Sequence, residues 1–327
     1  MKHPPDSQPD HALAVELIAV VASVTGGDPC VLTLRGGEAL PSGPFALGHR
    51  SLQAGLRDWV EQQTGHPLGY IEQLYTFADR DRLAGDPANG GAGNPTGAGA
   101  RRTISISYLG LARDDPQGTT APPQARGWCG WYGCFPWEDH RAGPPPVIAR
   151  EILPRLAAWA DTGPEARERH ERSAVAFGLD GRDWNEELVL QRYELLYEAG
   201  LVEEARRAGI SDGAPPLPGR AMVADHRRIL ATGIARLRTK IKYRPVVFEL
   251  MPPVFTLLQL QRAVEALAGR LVHKQNFRRL IEQQDLVEDT GETSSETGGR
   301  PAKLFRFRAA VQVERIAVGT KLPVVRS

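Results

Sequence analysis

The first third of the chain alternates between strand-like and helix-like spacing of apolar residues. The run "AVELIAVVASVTGGDPCVLTLR" (residues 14–35) predicts two strands joined by a Gly-Gly turn. A helix-like stretch follows at 40–65. In "RRTISISYLGLA", Ile104, Ile106 and Tyr108 fall on one face and predict a further strand. The order strand, strand, helix, strand predicts a mixed α/β sandwich.

The middle of the chain changes character twice. Residues 85–100 are rich in Gly, Asn and Pro and predict a loop. From 147 to about 210 the apolar spacing is helical, and three prolines close that section at 215, 216 and 218. The segment "MVADHRRILATGIARLRTKIKY" (222–243) then predicts a long basic amphipathic helix.

An aromatic segment, "GWCGWYGCFPWEDH" (127–140), precedes the helical section. Its density of Trp, Tyr and Phe predicts a buried aromatic cluster. Cys129 and Cys134 are five residues apart, which leaves a zinc site as the alternative. No second Cys/His pair lies nearby at metal-ligand spacing, so the cluster is favoured.

Two short helices with a tight connection are predicted near the C-terminus. "FTLLQLQRAVEALAG" (255–269) begins with Thr256 as a potential N-cap and ends at Gly269. "HKQNFRRLIEQQDLV" (273–287) predicts a second helix with a basic face opposite an apolar one. The apolar face is expected to consist of Phe277, Leu280 and Ile281.

The segment after the second helix has the pattern of a β-hairpin. "EDTGETSSETGGRPAKLFRFR" (288–308) is a polar, Gly-rich tip followed by an alternating strand, which together with the two helices predicts a winged helix-turn-helix. Gln and Asn can recognise adenine, and Arg can recognise guanine. The predicted DNA-binding residues are Lys274, Gln275, Asn276, Arg278 and Arg279 on the helix, with Arg300 and Lys303 on the wing. The alternative is a small helical subdomain that docks onto the rest of the chain.

Charge is distributed unevenly along the 327 residues. Residues 226–327 hold 19 Lys+Arg against 9 Asp+Glu, a balance of +10, and the remainder holds 21 against 30, a balance of −9. This asymmetry favours nucleic acid as a partner of the C-terminal part, with a solvated basic face as the alternative. Three cysteines in a chain of this length indicate a reducing cytoplasm. No apolar run is long enough for a membrane span, and no signal-peptide pattern is present.

The stretch "LPSGPFALGHRSLQAGLRDWVEQQTG" (40–65) has the rhythm of a Nudix box, G-x5-E-x7-R-E-U-x-E-E-x-G-U, where U is a bulky aliphatic residue. Anchored on the glycine at 43, the spacing retains Arg57 and Glu61. His49, Asp58 and Gln62 replace three of the glutamates, and the final glycine comes one residue late.

These replacements change the metal chemistry that the box can support. Positions 58, 61 and 62 share one helix face, where a hydrolase presents carboxylates to Mg²⁺. Here Gln62 offers a neutral carbonyl, Asp58 is shorter than glutamate, and His49 is a poor magnesium ligand. The sequence therefore predicts that the box does not catalyse hydrolysis, that no metal site is formed and that no cofactor is required.

Several segments together resemble a known family. "LPSGPF", "GYIEQLYTFADRDR" (69–82), "FTLLQLQRAVEALAG", "KQNFRRLIEQQDLVEDTGE" and "GRPAKLFRF" closely resemble the NrtR family and its alphaproteobacterial relative NadQ, which are Nudix-domain regulators of NAD biosynthesis. The resemblance covers roughly residues 12–112 and 242–308, a little over half of the chain. The helical section at about 140–220 lies outside it and has the position of an insertion.

The resemblance implies a homodimeric repressor that binds a palindromic operator in double-stranded DNA upstream of NAD synthesis or salvage genes. It further implies that the Nudix-like domain senses a nucleotide effector such as ADP-ribose, ATP or an NAD-related compound, which Mg²⁺ could accompany. By matched position, the ligand-binding residues are Arg57, Glu61, Glu72, Tyr75 and Phe77. The last three are expected to be buried in a strand, so a structural role for them stays open.

The sequence thus predicts an α+β protein in two domains. Residues 11–240 are expected to form a Nudix-like α/β sandwich with a helical insertion, and 241–327 a winged helix-turn-helix domain. The predicted function is a cytoplasmic transcriptional repressor that is not an enzyme. The alternatives are a Nudix pyrophosphatase acting on ADP-ribose or a related dinucleotide, and an adaptor that binds proteins through the helical section.

Overall fold

The computed structural model describes residues 14–46, 48–78, 103–113, 126–243, 246–294 and 301–308. The loop predicted at 85–100 and the wing-tip residue Arg300 lie outside the described residues. The α+β class is confirmed: a mixed sheet, a set of helices and a small three-stranded sheet follow one another along the chain.

A six-stranded mixed sheet forms the N-terminal part. Its order is β4-β5-β1-β2-β6, and β3 pairs with β1. β1 and β5 are parallel, whereas the other neighbours are antiparallel. The strands are β1 (Ala14–Thr25), β2 (Asp28–Leu34), β3 (Ser42–Pro44), β4 (Ile71–Phe77), β5 (Thr103–Leu111) and β6 (Arg126–Gly130).

β1 is apolar over most of its length because both of its faces are buried. Leu17, Ala19 and Val21 pack on one side against helix α1 (Leu52–Thr64), the helix of the box. Ile18, Val20 and Ala22 point to the other side, into a larger core. The sheet therefore separates the box helix from everything that packs on its second face.

The second face is covered by helices of the middle section. The aromatic segment contributes Trp131, Phe135 and Trp137 to this core, which confirms the buried cluster, although Trp128 and Tyr132 are only half-buried. A π-helical turn (Ile148–Ile152) leads into the helices. They are α2 (Leu153–Ala160), α3 (Ala166–Phe177), α4 (Val189–Glu198), α5 (Glu203–Arg207) and the long α6 (His226–Tyr243).

The C-terminal part has the predicted winged-helix order. A three-stranded sheet, β7-β9-β8, accompanies two helices. Its elements are β7 (Phe255–Thr256), α7 (Leu257–Ala268), α8 (Lys274–Gln283), β8 (Val287–Ser294) and β9 (Ala302–Phe307). The predicted cap of α7 is confirmed: the Thr256 hydroxyl accepts from the Gln259 amide at 3.2 Å, and the Gln259 side chain accepts from the Thr256 amide at 2.7 Å.

The end of α7 lies against the middle of the chain. Gly269 ends the helix with φ +73°, and a Cβ at this position would lie 2.5 Å from the Glu138 carbonyl oxygen. The Gly269 carbonyl accepts from the His140 amide at 2.7 Å, and the Ala266 carbonyl accepts from the Tyr132 hydroxyl at 2.6 Å. The boundary proposed at 240 falls inside α6, so we treat α6 as a helix that both proposed domains share.

Candidate nucleic-acid interface and nucleotide site

Helix α8 presents a basic face to solvent. Phe277 and Ile281 are buried and fix the orientation of the helix, because residues four apart lie on the same face. The side chains on the remaining surface, Lys274, Gln275, Arg278 and Arg279, are all exposed. Among the residues that the structure describes, none of these three cations takes part in an ion pair. They are therefore available to an external anion.

Leu280 was predicted to be buried with Phe277 and Ile281, and this prediction is wrong: 47% of the residue is exposed. Successive residues of a helix are rotated by about 100° about its axis, so Leu280 lies to one side of the face that contains Phe277 and Ile281. Leu280 lines an apolar groove between α8 and α6, and the predicted DNA contact Asn276 lines the same groove. Asn276 thus lies at the edge of the basic face rather than in its centre.

The two strands of the wing are linked by ion pairs. Lys303 Nζ lies 2.7 Å from Asp289 Oδ2, and Arg306 Nε lies 2.6 Å from Glu288 Oε1. The hydrogen bond to Asp289 raises the pKa of Lys303, which therefore keeps its positive charge. Lys303 stays exposed on β9, so it can approach a phosphate while holding the hairpin together.

Part of the C-terminal excess of positive charge is neutralised by carboxylates of the N-terminal part. Cations of α6 pair with carboxylates of the N-terminal 225 residues, namely Arg227 with Glu204, Arg238 with Glu138 and Lys240 with Glu72. Both arginines are buried. The charge difference between the two parts of the sequence is therefore partly an internal complementarity, and among the described residues α8 carries three exposed cations without an ion pair.

The Nudix-like box keeps the loop–helix–loop geometry with altered side chains. The Gln63 side chain bonds both backbone groups of Ser42, at 2.7 and 3.1 Å. Trp59 Nε1 donates to the Pro44 carbonyl at 2.9 Å, and its ring lies directly over Gly43, where a Cβ would be 2.3 Å away. The helix ends at Gly65 in the left-handed conformation, φ +69°.

His49 occupies the first glutamate position of the box, and its side chain packs within the loop that precedes α1. Its Nδ1 accepts from the Ala46 amide at 3.1 Å. The imidazole lies over Gly55, where a Cβ would come within 2.5 Å of it, and its ring contacts Phe45 and Trp59. Loop packing thus replaces the carboxylate that the box pattern has at this position.

The outer face of α1 carries Asp58, Glu61 and Gln62, all exposed. Arg57 lies beside them, but its guanidinium donates to the carbonyls of Leu68 and Gly69, the latter at 2.8 Å. Arg57 therefore holds the segment after the helix. A ligand phosphate would compete with these two carbonyls for it.

The remaining predicted ligand residues lie on β4, on the other side of the sheet. Glu72 pairs with Lys240 of α6 and accepts from the Tyr70 hydroxyl. Phe77 is buried in the core beside α6, with the Arg228 guanidinium 5.3 Å from its ring centroid. Arg57 and Glu61 on α1 therefore lie on the opposite side of the sheet from Glu72 and Phe77 on β4.

Tyr75 was expected to be buried with its strand neighbours, and this expectation is wrong: 59% of it is exposed. The register of β4 against β5 shifts between Gln73 and Thr76, and such a bulge breaks the simple alternation of faces. Glu72 is half-buried, and only Phe77 is fully buried. Tyr75 is therefore the member of this set that solvent can reach most easily.

Sequence reasoning missed Tyr70 and Lys240. Lys240 Nζ lies 2.9 Å from the Tyr70 hydroxyl, and burial together with the Glu72 carboxylate raises the pKa of Tyr70. The alternation of β4 places Tyr70 and Glu72 on one face, but nothing in the sequence indicates a partner 170 positions away. This triad connects the edge of the sheet to α6.

Neither a metal cluster nor a membrane span is found within the described ranges. No group of three or more His, Cys, Asp or Glu side chains in them could hold a metal ion. None of the helices described there has the length and apolar character needed to cross a bilayer.

The fold and these sites define a class of protein in which a Nudix-like mixed sheet is fused to a C-terminal winged helix. Residues 247–307 match the family model of the NrtR DNA-binding winged helix domain. A curated relative from Acinetobacter baylyi, the ADPR responsive transcriptional repressor NtrR, is 41% identical over 83 residues, 25% of this chain. The match spans about a third of that relative's length, 33%.

Solved structures resemble the chain over most of its length. NrtR of Shewanella oneidensis, crystallised with a 27mer DNA, superposes with a TM-score of 0.51 at 19% identity, covering 91% of this chain and 95% of that one. A MutT/nudix family protein of Enterococcus faecalis gives a TM-score of 0.50 at 15% identity, covering 94% and 90%. The resemblance to the NrtR family indicated by the sequence is confirmed, and the combination of Nudix fold and winged helix extends over nearly the whole chain.

Proposed function

We propose that this protein is a cytoplasmic, DNA-binding transcriptional repressor whose Nudix-like domain senses a nucleotide. The observation that carries the proposal is the exposed basic face of α8, with Lys274, Arg278 and Arg279 unpaired among the described residues, inside a segment that matches the NrtR winged helix. A winged helix inserts its second helix into the major groove and places its hairpin against the backbone. Lys303, on strand β9 of the hairpin, is placed to contact the DNA backbone.

We also propose that the protein binds a palindromic operator as a homodimer. A single α8 reads only a few base pairs, so two copies related by a twofold axis would double both the contact area and the sequence read. The genes we propose as targets are those of NAD synthesis or salvage, on the strength of the family resemblance. The relative's description as ADPR-responsive supports ADP-ribose or a similar nucleotide as the effector.

A gel shift with the full-length protein tests this proposal. Promoter fragments of NAD synthesis and salvage genes should be retained at about 150 mM salt at protein concentrations that leave a coding-region fragment of equal length free, because non-specific binding is weak at this ionic strength. ADP-ribose, NAD, ATP and nicotinamide mononucleotide should then be added singly, and at least one should change retention. Equal retention of promoter and coding fragments would contradict specific DNA recognition.

We further propose that the box has lost hydrolytic activity. Two-metal or Mg²⁺-assisted hydrolysis needs several carboxylates converging on the ion. The exposed face of α1 offers Asp58 and Glu61 beside the neutral Gln62, and His49 is engaged with the loop backbone.

Incubation with ADP-ribose and Mg²⁺ should therefore release no AMP beyond a protein-free control. A shift of the melting temperature by the same nucleotide would show that it binds. The variant Glu61→Gln should behave like the wild type in the release assay. If AMP appears in a Mg²⁺-dependent manner and Glu61→Gln abolishes it, the protein is a Nudix pyrophosphatase after all.

A further inference from the structure

A pair of cysteines lies at the end of β6, outside the DNA and nucleotide sites. Cys129 is half-buried on the strand, and Cys134 is fully buried. Between them a single 3₁₀ turn (Trp131–Gly133) reverses the chain, and the Cys134 amide closes it by donating to the Trp131 carbonyl at 2.9 Å. The turn brings the Cys134 thiol next to the Cys129 thiol, close enough for each to shift the pKa of the other.

Arg220 completes the cluster from a distant part of the chain. Its Nη1 lies 3.1 Å from Cys129 Sγ and 2.9 Å from the Gly36 carbonyl oxygen. Its backbone amide donates to the Gly133 carbonyl at 2.8 Å, so the same turn anchors the arginine. A guanidinium held in this manner stabilises negative charge on the sulfur.

The groups around the two cysteines shift the pKa values of their thiols in opposite directions. The hydrogen bond from Cys134 and the positive charge of Arg220 lower the pKa of Cys129 to about 6, although its partial burial opposes this. The pKa of Cys134 is raised because its thiol donates that hydrogen bond and is buried, even with Arg227 and Arg220 nearby. Cys129, which lies 3.1 Å from the Arg220 guanidinium, is therefore the thiol that ionises more readily, and Cys134 is the one that holds its proton.

We propose that Cys129 and Cys134 form a reversible oxidation site for hydroperoxides, with Cys129 as the reacting thiolate, Cys134 as the resolving thiol and Arg220 as the group that activates Cys129. Cys129 is half-buried and reachable from the strand, Cys134 is buried and protected from direct attack, and the single turn between them makes the two thiols neighbours. A zinc site is a poorer explanation, since no third ligand joins them among the described residues.

The chemistry has two steps. In the first, the Cys129 sulfur attacks one oxygen of hydrogen peroxide, the O–O bond breaks, hydroxide leaves, and a sulfenic acid forms. In the second, the Cys134 sulfur attacks the sulfenic sulfur, the S–O bond breaks, and the Cys134 proton leaves with the departing hydroxyl as water. The two thiols are oxidised to a disulfide and the peroxide is reduced to water. A dithiol reductant then reduces the Cys129–Cys134 disulfide to two thiols by exchange and is itself oxidised to a disulfide.

The test uses the full-length protein, reduced and then treated with hydrogen peroxide. Trypsin cleaves after Arg126 and Arg141, so both cysteines lie on one peptide, 127–141. We expect this peptide to lose the mass of two hydrogen atoms and to resist alkylation until dithiothreitol is added. In Cys134→Ser, Cys129 should instead be trapped by dimedone as a sulfenic acid. Cys30→Ser, which changes the third cysteine, should leave the result unchanged.

The role of Arg220 has its own measurement. At pH 7, Arg220→Gln should slow the alkylation of Cys129 by roughly fivefold or more, because a smaller fraction of the sulfur is then thiolate. The matched control is Arg206→Gln, which changes an exposed arginine that donates to the Ala214 carbonyl at 3.4 Å, and it should have no effect. Circular dichroism verifies that each variant is folded. The proposal is overturned if peroxide leaves peptide 127–141 reduced, or if Cys129 reacts equally fast in wild type and Arg220→Gln.

Discussion

Replacing Arg278 and Arg279 together by alanine is expected to weaken operator binding by about thirtyfold or more. Each good arginine contact to a base contributes about 1–3 kcal/mol, and the two side chains lie next to each other on the exposed face of α8. Since neither is engaged in an ion pair within the described part of the chain, their removal leaves no buried charge behind. The loss should therefore appear in DNA affinity and leave the melting temperature nearly unchanged.

The matched control is the double variant Arg172→Ala and Arg182→Ala. These arginines lie in the helical section, Arg172 half-buried and Arg182 exposed, and they pair with Glu198 and Glu171. Removing two arginines changes the net charge by the same amount as in the α8 variant. Fluorescence anisotropy over a salt series separates the kinds of contact. Loss of a contact to phosphate reduces the slope of log K against log salt by about one, whereas loss of a contact to a base relaxes discrimination between the operator and an altered sequence. Equal operator affinity of wild type and the α8 variant would remove these residues from the interface.

The elements that were predicted correctly are those that depend on interactions between residues close together in the sequence. The cap at Thr256 and the stop at Gly269 depend on residues three or four positions away, and the helix they bound is the one observed. The burial of Phe277 and Ile281 follows from helical periodicity alone. Leu280 was misplaced because the width of a buried stripe depends on what packs against it, and here α6 leaves an open groove.

The features that the sequence could not predict depend on contacts between distant segments. The C-terminal charge excess was interpreted as a surface property, whereas Arg227 and Arg238 are buried against Glu204 and Glu138. A count of charged residues does not show which of them form ion pairs. A basic surface and buried ion pairs therefore cannot be distinguished from the sequence alone. Similarly, the bulge that exposes Tyr75 arises from the register between β4 and β5 and leaves no local signal.

The buried carboxylate of Glu138 connects the aromatic segment, α4 and α6. It accepts from Arg192 at 2.6 and 2.8 Å and from Arg238 at 2.6 Å. Arg238 also donates to the Leu267 carbonyl in α7 at 3.0 Å, so the same guanidinium reaches into the winged helix. All three ionic side chains are essentially inaccessible to solvent.

Glu138→Ala is therefore expected to lower the free energy of unfolding by about 3–5 kcal/mol or more, because breaking a buried pair leaves uncompensated charge, here two guanidinium groups. Urea denaturation followed by circular dichroism measures the change. Glu198→Ala, which removes the exposed partner of Arg172, is the control and should cost less than about 1 kcal/mol. Similar costs for both variants would show that the buried network adds nothing beyond a surface pair.

The pH dependence gives an independent check on the same residue. Burial alone would raise the pKa of Glu138, but the charges of Arg192 and Arg238 outweigh it and hold the pKa below its usual value. A carboxylate with a lowered pKa in the folded state stabilises the protein above the unfolded pKa, about 4.3 for glutamate, and this contribution is lost as the pH falls towards the folded value. The unfolding free energy of Glu138→Gln should therefore fall less steeply with acidification than that of the wild type. Parallel curves for the two proteins would mean that the charge on Glu138 does not contribute to the stability of the junction between α4, α6 and the winged helix.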